Sequence, residues 1–265
     1  MTEDQHRRWV GSMPDVYDRC LADAVFRPFA VDVARRAARL RPSRVVEVAA
    51  GTGVATAELL AATPEAHLTA TDLNPAMVEA GEERVAAAAW QRADASSLPF
   101  DDGVFDLVVC QFGVMFFPDR PAAYSEFRRV LAPSGHVLVN TWDRIDTHGF
   151  ARVLVEGLER ALTGDVPAFL AQVPHGYADP QVVVGDLRGA GLEVESVETV
   201  TLEGRAASAA DVATGFCTGT PLRGEIEARG DLDETTRLVA AHMTAVLGEG
   251  PVSAAMTAHV VQARR

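Results

Sequence analysis

The segment Arg44-Val-Val-Glu-Val-Ala-Ala-Gly-Thr-Gly53 constrains the fold more than any other part of the chain. Three valines in five residues favour an extended strand, and two glycines just beyond it permit a sharp turn into a helix over 54–63, which Pro64 ends. Residues 67–71 form a second strand of the same kind. Asn74 is placed to cap the next helix, with Pro75 at its first position, and the alanine- and glutamate-rich pattern runs on to Ala89. Residues 90–94, 104–110 and 135–141 read as further strands, with a helix over 121–131 between the last two. Strands joined by helical crossovers run parallel, so the alternation calls for a mainly parallel sheet covered by helices.

The flanks follow a looser pattern. Val25, Phe26, Phe29, Val33, Ala37 and Leu40 lie at helical spacing, and Pro42 closes that N-terminal helix. From Asp143 to Pro180 the periodicity blurs; a helix over 181–190 and a strand over 192–202 come next, then helices within 208–250 and a last apolar strand over 256–264.

Composition removes several functions. All 24 basic residues are arginine, so a Schiff-base amine, a P-loop lysine and a Tyr-x-x-x-Lys proton relay are missing. The net charge of −13 repels phosphate backbones, which argues against a nucleic-acid partner. Cys20, Cys110 and Cys217 are scattered, and His6, His67, His136, His148, His175, His242 and His259 show no metal-ligand spacing, so no metal is expected. No apolar run is long enough to span a membrane, and the start lacks a secretory h-region, which reads as a cytoplasmic protein.

Within the core, Asp72 stands nineteen residues beyond Gly53 at the end of the second strand, where a carboxylate reaches ribose hydroxyls in doubly wound folds. A strand followed by Gly-x-Gly also serves dinucleotides, or simply turns the chain. Three details separate these readings. A pyrophosphate would be repelled by Glu47, the dinucleotide fingerprint calls for Gly or Ala where Thr56 stands, and Asp94-Ala95 follows the third strand. An ammonium or sulfonium, by contrast, is favoured beside Glu47.

Taken in order, Glu47-Val-Ala-Ala-Gly-Thr-Gly53, Thr71-Asp-Leu-Asn-Pro-Ala-Met77, Ala93-Asp-Ala95, Phe105-Asp-Leu-Val-Val-Cys-Gln-Phe-Gly113 and Arg129-Val-Leu-Ala-Pro-Ser-Gly-His136 resemble the class I S-adenosylmethionine-dependent methyltransferases. The likeness is to the small-molecule branch of the ubiquinone/menaquinone-biosynthesis type, and it covers roughly residues 40–142. Ala49 departs from the glycine that the family commonly has there. The resemblance implies a Rossmann-like α/β fold: a mainly parallel seven-stranded sheet with helices on both faces, an antiparallel last strand and helical lid inserts. One domain over 1–265 would comprise an N-terminal helical cap (1–43), a cofactor-binding core (44–142) and a substrate lid (143–180 and 205–250).

By the same resemblance Glu47, Gly51 and Gly53 would surround the amino-acid end of S-adenosylmethionine, with Tyr17 near its carboxylate and Gln111 beside the methionine moiety. Asp72 would accept from the ribose hydroxyls, Leu73 and Met77 would line the adenine, and in the adenine segment Asp94 would accept from the adenine amine with Ala95 beside it at the cofactor. Plainer roles stand beside these: Asp94 as a turn cap, Tyr17 as a packing aromatic. Phe112, Phe116, Trp142, His148 and His175 are candidates for the acceptor side; no catalytic residue is assigned. The implied activity is methyl transfer to an O-, C- or N-atom of a small, fairly apolar metabolite, with S-adenosylhomocysteine as product, in a setting such as bacterial secondary metabolism. Alternatives are a diverted fold acting as a cyclase or pericyclic catalyst and, further off, an NAD-dependent oxidoreductase. Oligomeric state is left open, a homodimer being one option.

Overall fold

The computed structural model describes Gly11 and residues 13–265; His6 and the first ten residues of the expected cap lie outside the described residues. The chain begins with α1 (Met13–Tyr17) and a wide-turned π-helix (Asp18–Phe26) that runs directly into α2 (Arg27–Leu40). Pro28 explains the join: it has no N–H to give a preceding carbonyl, and it occupies the first turn of α2, where none is needed. Then follow β1 (Arg44–Val48), α3 (Val54–Ala62), β2 (His67–Asp72), α4 (Pro75–Arg84), β3 (Ala89–Arg92), β4 (Phe105–Gln111), α5 (Arg120–Val130) and β5 (Leu131–Trp142). The remainder is α6 (Gly149–Ala161), α7 (Phe169–Gln172), α8 (Pro180–Gly189), β6 (Glu193–Ala206), α9 (Ala209–Gly219), α10 (Leu222–Glu227), α11 (Leu232–Leu247) and β7 (Val252–Arg264).

The seven strands lie in the order β3-β2-β1-β4-β5-β7-β6. The first five are parallel, and β7 pairs antiparallel with both β5 and β6, which gives the Rossmann-like sheet with its reversed last strand. Alternation along each central strand divides the core. Val45, Leu107, Val109 and Leu138 point to the face covered by α2 and α3, and Val46, Val108, Cys110 and Val139 to the opposite face under Phe127 and Leu187. The direction of chain switches at β1/β4, so the C-terminal strand ends open a crevice there.

Several element boundaries differ from the sequence expectation. The helix expected to reach Ala89 stops at Arg84, because the Trp90 indole N–H donates to the Val85 carbonyl (3.1 Å) and the ring crosses Gly81, where any Cβ would collide with it. The blurred stretch after Asp143 contains a full helix, α6, whose glycines (Gly149, Gly157) sit against Ala254 and Val239. β7 starts at Val252, four residues before the apolar run, because its ladder with β6 continues to the pair Ala206↔Val252.

Ala49, directly after β1, takes a left-handed φ of 58°. Its methyl fills the place that a Cβ on Gly113 would otherwise contest at 2.6 Å. The left-handed conformation costs a non-glycine residue about 1–2 kcal/mol, partly offset by the smaller unfolded-state entropy of alanine. Ala49→Gly is therefore expected to raise stability by about 1 kcal/mol, read as a higher urea midpoint at unchanged slope.

Candidate functional site

A cavity open to solvent lies at the C-terminal ends of β1, β2 and β4. Its floor is the turn after β1. The N–H of Gly51 donates to Asp72 Oδ2 (2.9 Å), and the N–H of Asn74 donates to Asp72 Oδ1 (2.9 Å), so one carboxylate ties the glycine turn to the end of β2. Gly51 has a φ of 57°, and a Cβ placed on it would meet no atom within 4 Å. The turn thus presents bare backbone to open space, with the first turn of α3 behind it.

Beside this turn Glu47 is 1% exposed and accepts a hydrogen bond from Thr56 Oγ1 (2.6 Å). Burial pushes its carboxyl up to about 8, against the pull of the Thr56 hydroxyl, and the charge of Asp72 adds to the rise. Gln111 donates weakly to the Phe26 carbonyl (3.4 Å), while its Oε1 is buried with no hydrogen-bond partner among the described residues. The lining therefore carries two polar needs that the protein does not fully meet by itself: an acid favouring a cationic neighbour, and an acceptor oxygen lacking a donor.

The remaining expected residues can be placed plainly. Tyr17, Leu73, Met77, Asp94 and Ala95 line the same cavity. Burial and the carboxylates of Asp18 and Asp72 push the Tyr17 phenol upward. Asp94 Oδ1 accepts from the backbone and hydroxyl of Ser96 (2.8 and 2.7 Å), the turn-capping role weighed for it, while its side chain still faces the cavity. Gly53 is the exception. It lies outside the lining, at the N-cap of α3 with a φ of 85°, and it faces Trp90 and Val85, where a Cβ would come within 3.0 Å of the indole. Its hydrogen makes room for the Trp90 indole.

The acceptor-side candidates Phe112, Phe116, Trp142, His148 and His175 also meet at the cavity. Phe112 adopts a left-handed φ of 53°, unusual for a bulky residue; Asn140 holds it by accepting the Phe112 N–H on Oδ1 (3.0 Å), and its ring stacks on Trp142 at 3.8 Å and 9°. His148 caps α6, its Nδ1 accepting from the Ala151 N–H (3.2 Å), and burial together with nearby His175 pushes it down to about 3. His175 Nδ1 lies 2.6 Å from the Asp143 carbonyl, and burial moves it below the usual imidazole range. Sequence reasoning did not single out Phe26, Ser96, Phe169 or Phe216, which line the cavity too. Phe26 had a signal in its helical spacing; Phe169 and Phe216 lie in inserts whose pattern gave none.

Among the described residues no group of three His, Cys, Asp or Glu side chains is placed to hold a metal ion, and no helix is long and apolar enough to cross a membrane.

Residues 46–139 match the methyltransferase domain family. The ubiquinone/menaquinone biosynthesis C-methyltransferase UbiE of Methylobacterium nodulans is 35% identical over 154 residues, 55% of this chain and 61% of that protein. The chain thus spans about three-fifths of that relative's length. A demethylmenaquinone methyltransferase of Mycolicibacterium gilvum is 34% identical over 168 residues, 59% of this chain and 72% of its own length. In fold, the YcgJ protein of Bacillus subtilis superposes with a TM-score of 0.59 at 18% identity, over 89% of this chain and 98% of that one. With this match over most of a methyltransferase, and with the glycine turn, Glu47 and Asp72 gathered at the strand ends, the chain belongs to the S-adenosylmethionine-dependent methyltransferases.

Proposed function

We propose that the protein transfers a methyl group from S-adenosylmethionine to a small, fairly apolar acceptor. The observation that carries this reading is the cavity floor: bare Gly51 backbone, buried Glu47 and a Gln111 oxygen with no partner among the described residues converge within one crevice. These features fit the cofactor's own groups. Glu47 would face its ammonium or sulfonium charge, Gln111 Oε1 would accept from its amino group, and the Gly51 turn would let its methionine end approach the backbone. Asp72 would receive the ribose hydroxyls, with Leu73, Met77 and Ala95 against the adenine, Asp94 toward its amine and Tyr17 over the amino-acid end.

Bound there, the cofactor supplies a methyl group already activated by the sulfonium. The chain's own work is positional: it excludes water, aligns the acceptor and holds the charge. Segments 143–180 and 205–250 would act as the lid over the acceptor, since His148, Phe169, Leu170, His175, Phe216 and Thr220 come from them. Their aromatic character supports an apolar acceptor. A small-molecule role agrees with this lining; formation of S-adenosylhomocysteine together with product separates methyl transfer from a diverted fold that merely retains the cofactor.

Two variants test the floor. Gly51→Ala and Gly103→Ala both force a methyl into a left-handed residue, at φ of 57° and 69°, and should lose similar stability. Only the first places its methyl in the cavity. Calorimetry with S-adenosylhomocysteine is expected to show at least about a tenfold loss of affinity for Gly51→Ala and none for Gly103→Ala, a difference of about 1.4 kcal/mol or more. Equal affinities would overturn the assignment of the turn.

Glu47 yields a pH prediction. Its folded pKa is raised from 4.5 to about 8, so the stability it contributes is full below 4.5 and is lost as pH climbs toward 8. Glu47→Gln keeps an acceptor for Thr56 and removes the titration. Without ligand the variant should therefore melt above the wild type at about pH 8, with the gap closing toward about pH 4.5 at no more than about 1.4 kcal/mol per unit. It should also bind S-adenosylhomocysteine more weakly. Scanning calorimetry at both pH values checks the sign, and a gap that widens in acid would refute it.

A further inference from the structure

The two cavity histidines look alike in sequence, but their hydrogen bonds give them opposite chemistry. His148 Nδ1 faces the Ala151 N–H at 3.2 Å, so that nitrogen keeps its lone pair and the ring proton of the neutral imidazole sits on Nε2. His175 Nδ1 faces the Asp143 carbonyl oxygen at 2.6 Å; a carbonyl can only accept, so Nδ1 carries the proton and Nε2 holds the lone pair. Asp143 is itself held in place, its N–H donating to the Thr257 carbonyl on β7 (3.1 Å) and its side chain meeting His259 Nε2 (3.2 Å). The His175 ring stands edge-on to His148 at 5.5 Å and 86°, and both rings lie near Trp142. One nitrogen edge on this wall can thus only donate, while the other can take a proton.

We infer that Nε2 of His175 is the general base for an aromatic hydroxyl, and that the acceptor class is a phenol-like ring methylated on oxygen. This rests on the methyltransferase reading above and adds the substrate class to it. The ring is called for by the flat Trp142–Phe112 stack and by Phe26, Phe116, Phe169 and Phe216 around the same space. A base is called for by the hydroxyl, because a neutral phenol oxygen is a poor nucleophile, whereas a neutral amine brings its own lone pair and needs no prior loss of a proton. His148 is a positioning residue: it donates from Nε2 to the bound acceptor or its ring edge, and it cannot take the proton.

The step balances. The hydroxyl proton passes to Nε2 of His175 while Nδ1–H remains on the Asp143 carbonyl. The oxygen forms its bond to the methyl carbon as that carbon's bond to sulfur breaks, the pair staying on sulfur. The sulfonium becomes a neutral thioether, the phenol a methyl ether, and the imidazolium returns its proton to water after release.

The experiment uses the whole chain and begins with calorimetry of S-adenosylhomocysteine. Failure there refutes the methyltransferase reading itself. With that ligand bound, 1-naphthol is titrated against 1-fluoronaphthalene, which has the same shape and no hydroxyl. The wild type should prefer the naphthol roughly fivefold, as one net hydrogen bond allows, and His175→Asn, which keeps a donor for the Asp143 carbonyl but drops Nε2, should lose the preference while still binding S-adenosylhomocysteine. In single turnovers with S-adenosylmethionine, His175→Asn should slow O-methylation of 1-naphthol by about 100-fold or more, and 2,4-dinitro-1-naphthol, already ionised at neutral pH, by only a few-fold. A merely structural histidine would slow both alike. Binding of S-adenosylhomocysteine without binding of naphthol, an unchanged preference in His175→Asn, equal slowing of the two naphthols, or selective loss on His148→Asn instead would each overturn the inference.

Discussion

The carboxylate of Asp72 fixes the rest of the site. By accepting from Gly51 and Asn74 it joins two turns that leave adjacent strands, and the Ala50 N–H on the Thr71 carbonyl (2.9 Å) adds a third tie at the same level. Once these bonds are made, the turn after β1 has little freedom, and Gly51 must present its Cα hydrogens to the crevice. Asp72 lines the crevice as well as holding these two turns. The consequence is a coupled site: the group that would hold a ribose also shapes the floor against which the methionine end would rest.

Such a site is costly to the empty protein. Burial takes the Glu47 carboxyl out of water, the charge of Asp72 adds to the effect, and Glu47 responds by holding its proton more tightly. Ala49 and Phe112, at the ends of β1 and β4, both adopt left-handed backbone. Neither is required by the sheet; both lie where the chain must turn sharply at the crevice, and in Phe112 the ring stack on Trp142 and the bond to Asn140 offset the strain. The unmet polar groups and the strained backbone fall on the same strand ends, which is where a ligand can repay them.

How far this was legible from the sequence depends on which atoms do the work. The parallel core was readable because Val45, Val46, Leu107 and Val108 alternate faces with a period that only a strand satisfies, and the Gly-rich turn was readable because few residues tolerate its backbone. The two glycines were not separable on that basis. Gly51 and Gly53 share a positive φ, yet one faces open space and the other Trp90, a residue nearly forty positions away whose approach no local pattern records. In the same way, Asp94 proved to cap its own turn while facing the cavity, so the alternatives weighed for it were not exclusive. The expected end of α4 failed for the reason that separated the glycines: the indole of Trp90, and not helix propensity, decides where the chain leaves the helix.

The acceptor side follows a different rule from the cofactor side. The floor is built by backbone groups and by side chains at strand ends, all within residues 47–111, and that is the stretch the family match covers. The opposite wall is assembled from three separate stretches: Phe26 from the N-terminal helices, His148 and His175 from the segment after β5, and Phe216 from the insert between β6 and β7. These stretches reach the cavity because the sheet anchors them, His148 bridging to Met256 of β7 and Asp143 to Thr257. Phe26 lies on a helix that its spacing announces, whereas the segment that holds His148 and His175 need satisfy only local packing and carries little periodicity. The tautomers of the two histidines make the point most sharply. Which nitrogen bears the proton depends on a single backbone N–H in one case and a single carbonyl in the other, both supplied by the fold, so two residues identical in sequence arrive at the cavity with opposite chemistry.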